Sequence, residues 1–170
     1  MLKKITLLCT ILLLPNISNA VFMDNNWAKE ACDGWNNNNT LTTKLAEKWV
    51  KNDKKRGYKI VQIYRDECGE KSKIQLNISL KGGKAMCIYA GAPDGKVLDM
   101  DVDYLMHATD EDWTCIGKGS FGCGAMGAMA TGKLKFTGPK MEAMSVMGPF
   151  EEFLLLTGKI AGAKGKANCQ

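Results

Sequence analysis

Residues 73–81 alternate without interruption, and this constrains the fold more than any other stretch. Ile74, Leu76, Ile78 and Leu80 fall on one side; Lys73, Gln75, Asn77 and Ser79 fall on the other. A period of two is that of a half-buried antiparallel strand. Gly82-Gly83 follows as a two-residue hairpin turn, and 84–90 is the returning strand. Pro93-Asp94-Gly95 marks the next turn. Alternation resumes over 100–108, with Met100, Val102, Tyr104 and Met106 inward and Asp99, Asp101 and Asp103 outward. Residues 58–65, rich in Tyr, Ile and Val, make an earlier strand, and 132–138 a last one with Leu134 and Phe136 inward.

Helical signals flank this sheet. Asp24-Asn25 precedes Trp27, Ala31 and Trp35 at helical spacing, and the asparagines at 36–39 stop that helix. Thr40 or Thr42 caps a second helix carrying Leu41, Leu45, Ala46, Trp49 and Val50. Thr109 with three acids after it starts a short third helix. Residues 121–131 are a helix of small residues, with Met126 and Met129. Pro139 opens a final helix with Met141, Met144, Val146 and Met147 on one side, bent at Gly148-Pro149 and continued by the apolar 150–156. Strands gathered in one sheet with helices on one face make an α+β fold, with a single, mainly antiparallel sheet of about five strands.

The first twenty residues read as an export signal. Lys3 and Lys4 precede the apolar run 5–14, and Ser18-Asn19-Ala20 supplies small residues for cleavage after Ala20. Cleavage would remove two lysines, taking the net charge from +5 to +3, too mild and scattered for nucleic acid. It would also remove Cys9 from the seven cysteines, leaving Cys32, Cys68, Cys87, Cys115, Cys123 and Cys169. Six cysteines in an exported chain point to disulfides, and six allow 15 pairings that sequence alone does not choose among. No Cys-x-x-Cys occurs, so a redox motif or zinc ribbon lacks its spacing. The division that follows is a signal at 1–20, N-terminal helices at 21–56, the main domain at 57–157, and a flexible tail at 158–170 unless Cys169 pins it.

Catalysis has little raw material. His107 is the single histidine, on the polar side of its strand and without a paired nucleophile. Asp99, Asp101 and Asp103 share a face but lack a calcium loop, so a solvated strand face is the simpler reading. No phosphate-binding glycine motif is present. The sequence calls for no enzyme, no metal and no cofactor. Seven methionines between 100 and 147 are the notable excess. Methionine adapts to varied apolar shapes, which suits either a core or a pocket for a lipid tail.

Residues 57–157 resemble the sterol carrier protein type of lipid-binding domain. The matching features are the alternating strand 100–108, the acid-started helix with Asp110-Glu111-Asp112-Trp113, the glycine-rich 117–130, Gly132-Lys133-Leu134-Lys135-Phe136-Thr137-Gly138, and the helix from Lys140 with Met141, Ala143 and Met144. The chain departs from the family in its export signal, its six cysteines and its tryptophan-bearing N-terminal helices. The resemblance implies a five-stranded α+β domain with a tunnel between sheet and helices, binding sterols, fatty acyl chains or other lipids. The lining expected on that basis is Leu76, Met100, Val102 and Met106 from the sheet, Phe121, Met126 and Met129 from the glycine-rich segment, Phe136 from the last strand, and Met144, Met147, Phe150 and Phe153 from the last helix. The function expected is periplasmic or secreted lipid binding and transport, with transient membrane contact. The rival is a protein-interaction module on the same fold with no open tunnel.

Overall fold

A computed structural model describes residues 20–169; the export signal expected over 1–20 lies, up to residue 19, outside the described residues. Two helices come first, α1 (Asn25–Asn37) and α2 (Asn39–Glu47). The Asp24 carboxylate caps α1 by accepting from the Trp27 N–H at 2.7 Å. The asparagine run does not open a loop. Asn38 alone breaks the helix in an extended conformation, and its side chain accepts from the Leu41 N–H at 3.1 Å to start α2, earlier than Thr40 or Thr42 would. Trp49 and Val50 then lie in a 3-10 turn.

The sheet contains β1 (Lys59–Arg65), β2 (Ile74–Lys81), β3 (Lys84–Gly91), β4 (Tyr104–Ala108) and β5 (Lys135–Thr137) in the order β3-β2-β1-β4-β5. Three pairings are antiparallel and β1–β4 is parallel. The sheet is thus mixed, within the expected α+β class. Helices α3 (Asp110–Lys118), α4 (Ala125–Ala130), α5 (Lys140–Ser145) and α6 (Met147–Lys159) complete the chain.

Parallel pairing of β1 with β4 forces a crossover. The chain must pass from β3, at one edge, beyond β2 and β1 to reach β4. That crossover explains two differences from the sequence reading. Residues 100–103 are turn and loop rather than strand, so the strand begins only at Tyr104. The polar face of β2 is also covered instead of wet. Gln75, Asn77 and Ser79 point away from the helices as the alternation requires, but all three are buried. Asp94 of the crossover accepts from Gln75 at 2.8 Å and from Asn77 at 2.9 Å, while Gln62 donates to Gln75. Burial without these bonds would cost several kcal/mol per polar group on alkane-transfer scales. Asp103, expected outward, is buried and held by both Arg56 Nη atoms and by the Ile60 N–H.

The inner face forms one core. Val61, Ile63, Ile74, Leu76, Ile78, Ala85, Tyr104, Met106 and Ala108 meet Trp27, Trp35, Leu41, Leu45 and Trp49 from the N-terminal segment and Phe150, Phe153 and Leu154 from α6. The N-terminal helices are therefore part of the same core. Trp35 Nε1 donates to the Ala85 carbonyl, and Asn36 bonds both the N–H and the C=O of Cys87. These side-chain bonds occupy the free edge of β3, which would otherwise invite strand pairing.

The six cysteines form three bridges, Cys32–Cys87, Cys68–Cys169 and Cys115–Cys123, with Cα separations of 5.4, 5.2 and 5.5 Å. The first ties α1 to β3. The second ties the segment after α6 to the turn that follows β1. The segment from 160 to 169 is further held where Ala163 bonds Ala20 and Phe22, and where the Arg65 guanidinium donates to the carbonyls of Gly165 and Asn168. Among the described residues, no helix is long and apolar enough to cross a membrane.

Candidate functional site

An apolar cavity of about 500 Å³ opens where β5, α4, α5 and the start of α6 converge. Met126 and Met129 come from α4, Leu134 and Phe136 from the β5 segment, Met144 from α5 and Met147 from the first turn of α6. Lys135 and Lys140 supply its polar lining. Its size falls in the range of small-molecule sites, roughly 300–1,000 Å³. Local sequence dictates this shape. α4 offers Ala and Gly on its other positions, so it packs closely and leaves only methionine side chains to fill the space. The chain enters α5 through Gly138, where a Cβ would lie 2.5 Å from the Asp103 carbonyl oxygen, so only glycine allows β5 so near β4.

The wall formed by α5 is anchored by a buried ion pair. Lys59, on the inner face of β1, has no exposed side-chain surface and donates to Glu142 Oε2 at 2.6 Å. Tyr104 donates to the same oxygen at 3.0 Å, and Asn52 to Oε1 at 2.6 Å. The Lys59 ammonium also lies 4.6 Å from the Trp49 ring centroid and 5.2 Å from that of Tyr104. Burial pushes the Lys59 pKa down despite Glu142. Burial, and then the Glu142 charge, push the Tyr104 hydroxyl up, so it remains a donor. The cluster adjoins the cavity, since Tyr104 meets the lining residue Phe136 edge-on at 5.0 Å.

Five of the twelve residues expected to line a pocket meet here: Met126, Met129, Phe136, Met144 and Met147. The other seven do not line this cavity. Leu76, Met106, Phe150 and Phe153 are core residues. Phe150 and Phe153 contact Trp35, and Phe150 also contacts Trp49 and Tyr104, so their rings pack against other aromatic rings of the core. Met100 and Val102 belong to the crossover, because the strand starts after them. Phe121 stands in solvent at the tip of the loop before α4. Sequence reasoning left out Leu134, Lys135 and Lys140. Leu134 was visible in the alternation of Leu134 and Phe136; the lysines carry no local signal of a cavity.

The other polar candidates are tied into ion pairs. His107 bonds Asp66 at 2.6 Å and stacks on Tyr64 at 4.5 Å between centroids, and Asp66 also accepts from Lys135. Asp99 and Asp101 both accept from Lys54 while Asp103 takes Arg56, so the three acids do not share a solvated face. Among the described residues no group of three or more His, Cys, Asp or Glu side chains is placed to hold a metal ion.

No family model and no curated protein matches the sequence. Solved structures do. A conserved hypothetical protein of Thermus thermophilus, linked by its description to sterol carrier proteins, superposes with a TM-score of 0.53 at 17% identity, over 87% of this chain and 94% of that one. A crystal structure of sterol carrier protein 2 gives a TM-score of 0.53 at 18% identity, over 82% of this chain and 98% of that one. The fold is that of the sterol carrier proteins. At this identity the likeness extends to the path of the chain and not to individual side chains. Both superpositions cover a larger share of this chain than residues 57–157 alone make up. The sequence resemblance had assigned only that narrower part.

Proposed function

We propose that this protein binds and carries an apolar or amphipathic lipid, without catalysing a reaction on it, after export from the cytoplasm. The observation that carries the reading is the methionine-walled cavity on a sterol-carrier fold. Met126, Met129, Leu134, Phe136, Met144 and Met147 would surround the tail, and unbranched methionines would adapt to different tail shapes. Burying an alkyl tail contributes about 0.8 kcal/mol per methylene. Roughly ten methylenes would then outweigh the entropy of ordering the chain and part of the association cost. Lys135 and Lys140 would leave the polar end of the ligand at the mouth. Three disulfides and the basic-then-apolar N-terminus support an oxidising compartment.

Titration with fluorescent fatty acid and sterol analogues tests this, with native mass spectrometry for a co-purifying lipid. Saturable binding is expected, and Met144→Glu, which puts a charge in the wall, should abolish it in a folded variant. No saturable binding by the wild type, or undiminished binding by folded Met144→Glu, would overturn the reading in favour of an interaction module.

A further inference from the structure

One loop is built in a way that lipid binding in the cavity does not need. Cys115 and Cys123 close a short disulfide ring of sequence separation 8. Gly119 and Gly122 turn the backbone inside it with φ of 60° and 77°. At its tip Phe121 is 107% exposed, its whole ring in water. Covalent closure holds a phenyl ring outward where an unconstrained chain would let it fold back.

Phe121 is not alone. The glycine-lined groove beside it, formed by Gly119, Ser120, Gly122 and Gly124, shares Met126 and Met147 with the apolar cavity. Around the same mouth Met126 is 61% exposed, Met144 54%, and Met141, next to the lining residue Lys140, 80%. Large exposed apolar side chains grouped near the mouth of an apolar cavity mark a candidate docking site. Lys140 lines the cavity and Lys118 precedes Gly119 of the groove in the chain, and neither forms an ion pair among the described residues. Lys135 is engaged by Asp66 and Lys133 by Asp112; the half-buried Glu151 in the groove is the opposing acid.

We propose that this face docks on a phospholipid bilayer containing anionic lipid, with Phe121 and the surrounding methionines entering the headgroup–acyl boundary. The occupant follows from the chemistry. Protein-binding hot spots are rich in Trp, Tyr and Arg held rigidly in place. This face has none of these among the residues that form it. It offers one phenyl ring, mobile thioether chains and unpaired lysines, a combination suited to a fluid apolar layer under a negative surface. The apolar cavity opens in the same face, so a lipid would pass between bilayer and cavity without crossing water. This last point rests on the proposed lipid binding; the docking itself does not.

The test is co-sedimentation of the oxidised protein with phosphatidylcholine vesicles, with and without about one third phosphatidylglycerol, alongside uptake of a fluorescent fatty acid from water. The wild type should bind the anionic vesicles and release at high salt. Phe121→Ser should weaken vesicle binding about tenfold, and Lys118→Glu about twenty-five-fold because it removes one cation and adds an anion, each charge being worth roughly fivefold. Both variants should take up fatty acid from water like the wild type, which also reports that they fold. Met129→Trp, filling the cavity, should lose uptake and keep vesicle binding. Failure of uptake with intact vesicle binding would refute the cavity reading alone. Wild-type protein that ignores anionic vesicles, or Phe121→Ser that binds them as well as the wild type, overturns the docking proposal.

Discussion

Replacing Glu142 by Gln removes one charge from the cluster that anchors α5, and the cost can be worked from the contacts. Glu142 accepts from Lys59, Tyr104 and Asn52, and the Lys59 side chain is fully enclosed. Glutamine retains the shape and an acceptor oxygen, so packing and one or two hydrogen bonds survive. What remains is a buried ammonium without its counter-ion, and breaking such a pair from one side costs about 3–5 kcal/mol. The loss should depend on pH, and its sign follows from Lys59. Burial already lowers the Lys59 pKa from its ordinary 10.5, and removing Glu142 lowers it further. Between that folded value and the unfolded one, the unfolded chain binds the extra proton, so the variant's stability rises with pH. The gap from wild type should therefore narrow as pH is raised from 7 towards 10. Chemical denaturation of oxidised protein at several pH values measures it. The double variant Lys59→Met/Glu142→Met should recover most of the loss, because two apolar groups leave no charge behind. A deficit under about 1 kcal/mol at pH 7, or a gap independent of pH, would refute this account of the anchor.

Further outcomes follow from other parts of the fold. The bridges Cys68–Cys169, Cys32–Cys87 and Cys115–Cys123 span 101, 55 and 8 residues; chain entropy then predicts losses of about 4.7, 4.2 and 2.5 kcal/mol on paired Cys→Ser replacement, an order that urea titrations can check. Five or six free thiols in denatured protein recovered from an oxidising compartment would contradict the bridges altogether. Gly117→Ala should destabilise by about 1–3 kcal/mol or more, because its Cβ would lie 2.5 Å from the Gly158 backbone nitrogen and wedge α3 from α6; an unchanged melting midpoint would show that the two helices are not so close. Burial raises the Asp110 pKa, but Arg65 and the Gly165 N–H outweigh it and hold it below 3.8. Its contribution to stability is thus present above that value and lost as pH falls through the folded pKa, and Asp110→Asn should flatten the acid limb of the stability–pH curve.

Much of the architecture was legible in the chain because it depends on local period. The alternation of Ile74, Leu76, Ile78 and Leu80 and the Gly82-Gly83 turn determined the β2–β3 hairpin. The spacing of Trp27, Ala31 and Trp35 determined the buried stripe of α1, and the alternation of Leu134 and Phe136 placed both toward the interior. Six cysteines without a close-spaced motif pointed to disulfides. Tertiary structure alone decided the rest. Whether a polar strand face is wet depends on what crosses it, so Gln75 and Asn77, outward by period, became buried beneath Asp94. Disulfide pairing depends on which distant segments meet, and Cys68 finds Cys169 only because the last residues run back beside Arg65. The cavity is decided in the same way. A methionine on an apolar face reads identically whether it fills a core or walls a space, and what the fold set opposite them separates Met106 of β4 from Met129 of α4. Met106 faces the packed interior of the sheet, while Met129 faces a gap that the small residues of α4 left open, because packing is a property of two surfaces and a sequence displays only one at a time.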